Sequence, residues 1–206
     1  KKNLQIINRL KRNNIPVVLA DRGIQDSDFD FVTTNNFEGS REITQHLINR
    51  GHEKIAFLSN KVYSTERLRY DGFISKMKEL KIVQDPSITI IDKSAFNVNR
   101  YLNHAHKILK NKGKFTAVYA GHDRIALLFY AAAKNLGLNV PEDFSLVGYD
   151  NMPLTTVSLT TMHQPIYEMG QESIKLIVAR LNDGSIKTKN VILKSNLIKR
   201  KSVKSI

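Results

Sequence analysis

The chain has 206 residues, of which 41% are hydrophobic and 25% are charged, and it contains no cysteine. These proportions are typical of globular proteins, and the length allows one large domain or two small ones. Without cysteine there can be no disulfide bond, cysteine-based zinc site or thiol catalysis. No run of about 18 apolar residues occurs, so we expect no membrane span. The N terminus has no apolar signal core either, which favours a cytoplasmic protein.

A formal net charge of +13 is compatible with nucleic-acid binding. The basic residues are nevertheless dispersed along the whole chain, and neither an RNA-binding aromatic motif nor zinc-finger spacing is present. A dispersed lysine excess is more often a solvated surface than a binding stripe. Charge alone does not decide between these two interpretations.

Short apolar runs alternate along the chain with segments of helical periodicity. Strands are predicted at 15–20, 31–32, 54–59, 87–91, 116–120, 144–147, 191–193 and 196–198, with an extended segment at 159–165. Helices are predicted near 4–10 and 36–50, and over 64–80, 98–112, 123–136 and 167–182. Strands that alternate with helices of this length predict an α/β protein with parallel sheets.

The same periodicity predicts which helix residues face inward and where helices begin. The inward residues are Phe73, Ile74, Met77 and Leu80 in the third helix, and Ile174, Ile177, Val178 and Leu181 in the last. Asp123 is interpreted as the N-cap of the helix over 123–136, and Asn35–Asn36 as the cap of the second helix.

The stretch from Val140 to Pro165 reads as a turn, a buried strand, an acidic loop and a Thr-rich extended segment. In open α/β sheets, ligands bind beyond the carboxyl ends of the strands. Asp150 stands at that position, so it is an expected ligand contact. A solvated loop acid is the alternative interpretation of this residue.

Other polar groups also stand at predicted strand ends, namely Asp21, the segment 65–69, His122–Asp123 and Gln164. Singly, each can be structural, as a turn residue, an exposed helix charge or a cap. Together they have the chemistry of a polyol site, because carboxylates accept hydrogen bonds from vicinal hydroxyls and a guanidinium donates a rigid fork.

The chain lacks the motifs of common enzymes and metal sites. There is no G-x-G-x-x-G, no phosphate-binding loop and no G-x-S-x-G elbow. His46, His52, His104 and His106 do not have the spacing of helical metal ligands, which favours a surface role for all four. We therefore expect neither an enzyme nor a cofactor.

Several segments resemble the effector-binding core of the LacI/GalR family of bacterial transcription regulators. They are IPVVLADR, NNFEGSREITQHLINRGHEKIAFLS, ERLRYDGF, VYAGHDRIALLFYAAAKNLGLNVPEDFSLVGYDN, LTTMHQP and NLIKRKS, in the family's order and at about its spacing. The resemblance extends over essentially the whole chain.

The resemblance implies a periplasmic-binding-protein-like fold with two α/β lobes, an effector between them and three crossovers. The crossovers would fall near Asn35, near Met162–Pro165 and near Leu193–Lys194. The amino-terminal lobe would comprise 1–34 and 166–193, and the carboxyl-terminal lobe 35–162 and 194–206. We expect the first lobe to be incomplete and the helix-turn-helix domain to be absent, so that this chain is a fragment.

The resemblance also implies the effector-binding residues. They are Asp21, Arg22, Thr65, Arg69, Phe96, His122, Asp150 and Gln164. The family commonly has Asn or Ser at the position of His122, within the pattern A-x-[NS]-D. A histidine here is expected to alter the effector chemistry and to make it sensitive to pH near neutrality.

The implied function is that of the effector-sensing core of a sugar-responsive regulator, most simply a repressor. A sugar or sugar phosphate would shift the orientation of the lobes, and a homodimer would bind operator DNA through the missing domain. The alternative is an exported sugar-binding protein of a transport system with the same fold.

Overall fold

A computed structural model describes residues 2–22, 28–153 and 157–206. Gly23, residues 154–156 of the Thr-rich segment and the side chain of Leu4, which figure in the sequence predictions, lie outside this description. The helices are α1 (Lys2–Arg12), α2 (Asn36–Ile48), α3 (Ser64–Glu79), α4 (Val98–Leu109), α5 (Asp123–Asn135) and α6 (Ile166–Asn182). The strands are β1 (Val18–Ala20), β2 (Asp30–Thr34), β3 (Ile55–Asn60), β4 (Thr89–Asp92), β5 (Ala117–Ala120), β6 (Ser145–Asp150), β7 (Thr160–His163), β8 (Asn190–Leu193) and β9 (Asn196–Ile198).

The chain forms two compact units, residues 1–35 with 165–194 and residues 36–164 with 195–206. The chain therefore passes from one unit to the other three times. The first unit contains a parallel three-stranded sheet of order β1-β2-β8, on which α6 packs. Its buried apolar cluster, among the described residues, is small and consists of Val32, Met169 and Leu176.

The second unit is built on a six-stranded sheet of order β4-β3-β5-β6-β7-β9. All neighbouring strands are parallel except β9, which runs antiparallel to β7. The expectation of an α/β protein with parallel sheets is confirmed. In parallel strands the carboxyl ends lie at one edge, so the ends of β3, β5 and β6 share an edge of this sheet.

Both faces of the six-stranded sheet are buried, as its short apolar strands predict. On β3, Ala56 and Leu58 belong to the cluster that contains residues of α4 and α5. Ile55 and Phe57 belong to the cluster that contains residues of α2 and α3. The alternation of side chains along a strand explains this division, because successive residues point to opposite faces.

The predicted inward face of α6 is wrong for three of its four residues, since Ile177 alone is partly buried. Ile174, Val178 and Leu181 are exposed, whereas Met169 and Leu176 are buried. The stripe that faces the sheet passes through residues 169, 173, 176 and 180, and Arg180 forms an ion pair with the buried Asp30 of β2. Because α6 is apolar on more than one side, periodicity alone does not identify the face that packs.

Two smaller corrections concern Leu80 and the histidines. Leu80 is 39% exposed, because α3 ends at Glu79. His46 and His52 are buried instead of lying on the surface. His52 is held by hydrogen-bond partners from distant parts of the chain, namely the Thr116 hydroxyl and the Lys204 carbonyl, both at 3.0 Å, and the Ser145 hydroxyl at 2.8 Å.

Among the described residues, no helix is both long enough and apolar enough to cross a bilayer. Within the same ranges, no group of three histidine or acidic side chains is arranged to hold a metal ion.

Candidate functional site

Arg69 and Asp150 meet at the carboxyl edge of the six-stranded sheet. Arg69 lies on α3 with 3% of its surface exposed, and Asp150 is the last residue of β6. The distance from Arg69 Nη1 to Asp150 Oδ1 is 3.1 Å. Two of the residues that the resemblance implies as effector contacts thus lie against each other within the second unit.

The guanidinium of Arg69 is held by four groups. Nε donates to Asn36 Oδ1 at 2.8 Å, and Nη1 donates to the Gly121 carbonyl at 3.0 Å. Its carbon Cζ lies 3.8 Å from the centroid of the Tyr149 ring, which is a cation–π distance. With Asp150 as the fourth partner, the orientation of the guanidinium is set before any ligand arrives.

Burial by itself would lower the pKa of Arg69, but the charge of Asp150 and the neighbouring Tyr149 and Tyr119 outweigh it and raise the pKa. Arg69 is therefore a permanent cation. Among the described residues, its Nη2 has no hydrogen-bond partner. One arm of the fork is thus able to donate to an oxygen of a ligand.

The oxygen of Asp150 that lies near Arg69 also accepts a hydrogen bond from Gln164. Gln164 Nε2 donates to Asp150 Oδ1 at 2.8 Å, and Gln164 itself is buried. The backbone of Asp150 has a φ of +113°, and Asn151 follows with a φ of +56°. These are conformations that L-residues rarely adopt, and they tend to occur at functional sites.

Phe96 and His122 form an aromatic group at the same sheet edge. Their ring centroids are 5.3 Å apart, and Arg124 Cζ lies 4.4 Å from the Phe96 centroid. The Tyr101 ring also packs against Phe96, with 5.1 Å between the ring centroids. This group therefore places aromatic carbon at the sheet edge where Arg69 and Asp150 also lie.

His122, and not Asp123, is the N-cap of α5. Its backbone is extended, and its Nδ1 accepts a hydrogen bond from the Ile125 amide at 3.4 Å. The interpretation of Asp123 as the cap is wrong, since Asp123 is the first helical residue and its carboxylate is directed elsewhere. Ser and Asn are preferred N-caps, which explains physically why the pattern A-x-[NS]-D has them at this position.

Thr65 lies in the first turn of α3 and is buried. Its hydroxyl donates to Glu66 Oε2 at 2.8 Å, and Glu66 is buried as well. Thr65 therefore presents its oxygen chiefly as an acceptor.

Asp21 and Arg22 belong to the first unit, directly after β1. Asp21 has a φ of +65°, its amide donates to the Val32 carbonyl at 2.8 Å, and its carbonyl accepts from the Thr33 hydroxyl at 3.1 Å. Arg22 is exposed, and its Nε is 3.7 Å from Asp21 Oδ2. Asp21 is thus held by its backbone at the carboxyl edge of the sheet β1-β2-β8.

The structure joins Arg69, Asp150 and Gln164 directly, and it places Phe96 against His122. The Gly121 carbonyl, which accepts from Arg69, immediately precedes His122 and connects the two groups. Sequence reasoning missed the partners Glu66, Arg124 and Tyr149, and interpreted Asn36 only as a helix cap. Tyr149 alone had a usable signal, since it directly precedes the acid at the strand end.

Comparison with known proteins identifies the family. Residues 44–203 match the family described as periplasmic binding protein-like domain. The chain belongs to this family. Its resemblance to the LacI/GalR regulators is also confirmed by relatives and solved structures.

Three of these proteins illustrate the similarity. The HTH-type transcriptional repressor PurR of Mannheimia succiniciproducens is 31% identical over 196 residues, which are 93% of this chain and 58% of that protein. A LacI family transcriptional regulator from Enterococcus faecium, solved with bound ribose, superposes with a TM-score of 0.86 at 27% identity, covering 98% of this chain and 75% of that one. The complex of the transcriptional regulator CelR with cellobiose has a TM-score of 0.82 at 25% identity, covering 94% and 61%. The chain thus spans somewhat more than half the length of the curated relative.

Proposed function

We propose that this chain is the effector-sensing core of a transcriptional regulator, and that its effector is a small sugar or a sugar derivative. The observation that carries the proposal is the contact of the buried Arg69 with the partly exposed Asp150 and with Gln164, at the carboxyl edge of a parallel sheet. Ligands bind at this edge in open α/β folds. Solved regulators of similar structure hold ribose and cellobiose, which supports the choice of a polyol.

The pair supplies the chemistry that a polyol requires. A carboxylate accepts hydrogen bonds from adjacent hydroxyls, and the Arg69 Nη2 group donates to a ring or hydroxyl oxygen. The rings of Phe96 and His122 offer an apolar surface for the carbon face of the sugar. Within this proposal Thr65 is a further contact from the second unit, and Asp21 and Arg22 are contacts from the first.

We further propose the arrangement of the complete regulator. Residues 1–34 with 166–193 and residues 35–162 with 194–206 would act as its two lobes. A homodimer in the cytoplasm would bind operator DNA through a domain outside this chain, and ligand binding would shift the population of lobe orientations. The relatives are transcriptional regulators and not enzymes, and they do not favour the alternative of an exported transport protein.

The proposal is tested by calorimetry with a panel of sugars that includes D-ribose and cellobiose. Asp150→Asn keeps the shape of the side chain and an acceptor for Gln164 but removes the charge. Because charge-assisted hydrogen bonds are worth more than neutral ones, we expect the affinity to fall roughly tenfold or more. Arg69→Ala is a less specific variant, since it also removes the bonds to Asn36 and Gly121.

Asp143→Asn is the matched control for this experiment. Asp143 precedes the amino-terminal end of β6, whereas Asp150 is at its carboxyl end. Asp143 accepts hydrogen bonds from Lys112 and from the Asn139 amide, both at 2.8 Å. The same chemical change there should leave sugar affinity unaltered. An equal loss of affinity in both variants, or no sugar binding by the unaltered protein, would contradict the proposal.

A further inference from the structure

The turn after β6 has a backbone that the surrounding structure must hold in place. Asp150 and Asn151 both have positive φ, at +113° and +56°. Such conformations are unfavourable for residues other than glycine, and they persist only where contacts with the surrounding structure hold them. The position of the Asp150 carboxylate therefore depends on whatever holds this turn.

The carboxylate of Asp123 makes the contacts that hold the turn. Asp123 is fully buried at the start of α5, and its Oδ2 accepts from the Met152 amide at 2.8 Å. Its Oδ1 accepts from the Thr161 hydroxyl at 2.7 Å, and the Thr161 oxygen accepts in turn from the Asn151 amide at 3.3 Å. Asp123 thus fixes, directly or through Thr161, the amides of the two residues that follow Asp150.

Strand β6 leaves room for this carboxylate at Gly148. A Cβ atom on Gly148 would lie 2.1 Å from Asp123 Oδ1 and 2.9 Å from a methyl group of Leu159. Glycine is required here for space and not for its conformational freedom. A carboxylate, its slot and two hydrogen-bonded partners therefore form one local arrangement.

The same turn is connected to β7, the strand that leads out of the second unit. Asn151 Nδ2 lies 3.1 Å from His163 Nδ1, and Gln164 Nε2 donates to Asp150. Thr161 belongs to the same strand. The chain enters the first unit immediately after Gln164. A displacement of Asp150 would consequently act on the strand that ends at the crossover.

We propose that Asp123 is the positioning residue of the effector site. Through its bonds to Met152 and Thr161, Asp123 holds the Asp150 carboxylate in a fixed position relative to β7. The inference rests on the proposed function in one respect, namely that Asp150 contacts the effector. Asp123 itself is fully buried, and both of its carboxylate oxygens accept from protein groups, so its action on the effector is indirect. Its role is to keep the site preorganised and to connect it mechanically to the crossover at residues 164–165.

Thr161→Val is the variant that tests this role with little change of shape. It removes the acceptor of the Asn151 amide and one donor to Asp123, whereas Asp123→Ala would leave several buried groups unpaired and endanger folding. Hydrogen exchange of the Asn151 amide in the full chain should become roughly tenfold faster or more, because the amide loses its partner. The dissociation constant for D-ribose should rise by a similar factor.

Two further variants make the test specific. Thr161→Ser keeps the hydroxyl and should restore both amide exchange and affinity. Thr116→Val also removes a threonine hydroxyl that contacts a buried side chain, that of His52 at 3.0 Å, but at the amino-terminal edge of the same sheet. It should change neither the exchange of the Asn151 amide nor the affinity for ribose.

Unchanged exchange of the Asn151 and Met152 amides in Thr161→Val overturns the proposal, whatever happens to ligand affinity. The proposal is also overturned by a second result. In this result, Thr161→Val accelerates amide exchange but leaves ribose affinity constant, although Asp150→Asn weakens ribose binding. If the unaltered protein binds no sugar, the proposed function fails, and exchange of the Met152 amide, which donates to Asp123, still decides whether Asp123 holds the turn.

Discussion

The guanidinium of Arg69 donates to a side-chain amide and to a backbone carbonyl, and it also faces Asp150. Arg69 is therefore both a candidate ligand-binding residue and a part of the buried hydrogen-bond network. The substitution of such a residue changes stability and binding together. The Asp150 side chain, with 25% exposure, is the better position for separating the two effects.

His122 is the residue at which the sequence departs from its family pattern, and we predict that its contribution to stability is that of a cap. His122→Ala removes the side-chain acceptor of the Ile125 amide but keeps the His122 carbonyl that accepts from it at 3.0 Å, and it should cost at most about 1 kcal/mol in the free energy of unfolding. His122→Asn supplies a preferred cap and should recover most of this loss. Urea denaturation of both variants measures the difference.

Both substitutions also remove the ring contact between His122 and Phe96, so the comparison between Ala and Asn isolates the cap. Equal destabilisation by the two would show that packing against Phe96, and not capping, is the contribution of the histidine.

At the scale of elements, α6 is the helix whose orientation the sequence predicted wrongly. Leu176 packs against the small cluster of the first unit, and Ile174 is 61% exposed. We predict that Leu176→Ala costs about 2–3 kcal/mol, because it removes buried methyl groups and leaves a cavity.

Ile174→Ala, two residues earlier on the same helix, should change stability by no more than about 0.5 kcal/mol. Thermal or urea unfolding followed by circular dichroism compares the two variants. A comparable loss in Ile174→Ala would mean that the exposed side of α6 is covered in solution.

At the scale of the whole molecule, the stability of the protein should depend on pH through His52. Burial lowers the pKa of His52 from 6.5, and this outweighs the hydrogen bond to the Lys204 carbonyl, which raises it. Below pH 6.5 the unfolded chain binds a proton that the folded chain does not. Stability is therefore complete above this pH, and it falls as the pH decreases toward the lowered pKa of the folded state.

The slope of the free energy of unfolding from one such group is at most about 1.4 kcal/mol per pH unit. Urea denaturation at about pH 7, 6 and 5.5 measures it, in a range above the titration of most carboxylates. His52→Gln should reduce the slope without abolishing it, because burial lowers the pKa of His46 as well. An unchanged slope in this variant would exclude His52 as a source.

Local sequence patterns were sufficient to establish the class of fold and the resemblance to a family. Alternation of apolar strands with helices requires parallel sheets, because each helix must cover a strand pair. The carboxyl ends of those strands then share one edge, so the positions of Asp150 and Arg69 near that edge followed from local pattern and from the quoted motifs. The roles of the eight predicted effector residues stay predictions until binding is measured.

The side chains that hold the site together could be identified only from the folded structure. Asp123 bonds to Met152 and Thr161, some 30 to 40 residues away, and His52 bonds to Lys204 at the other end of the chain. Neither partner leaves a periodic signal, because a hydrogen bond between distant segments depends on the path of the backbone and not on local spacing. The wrong prediction for α6 has a similar cause. A helix with apolar residues on several sides is oriented by the sheet against which it packs, and not by its own periodicity.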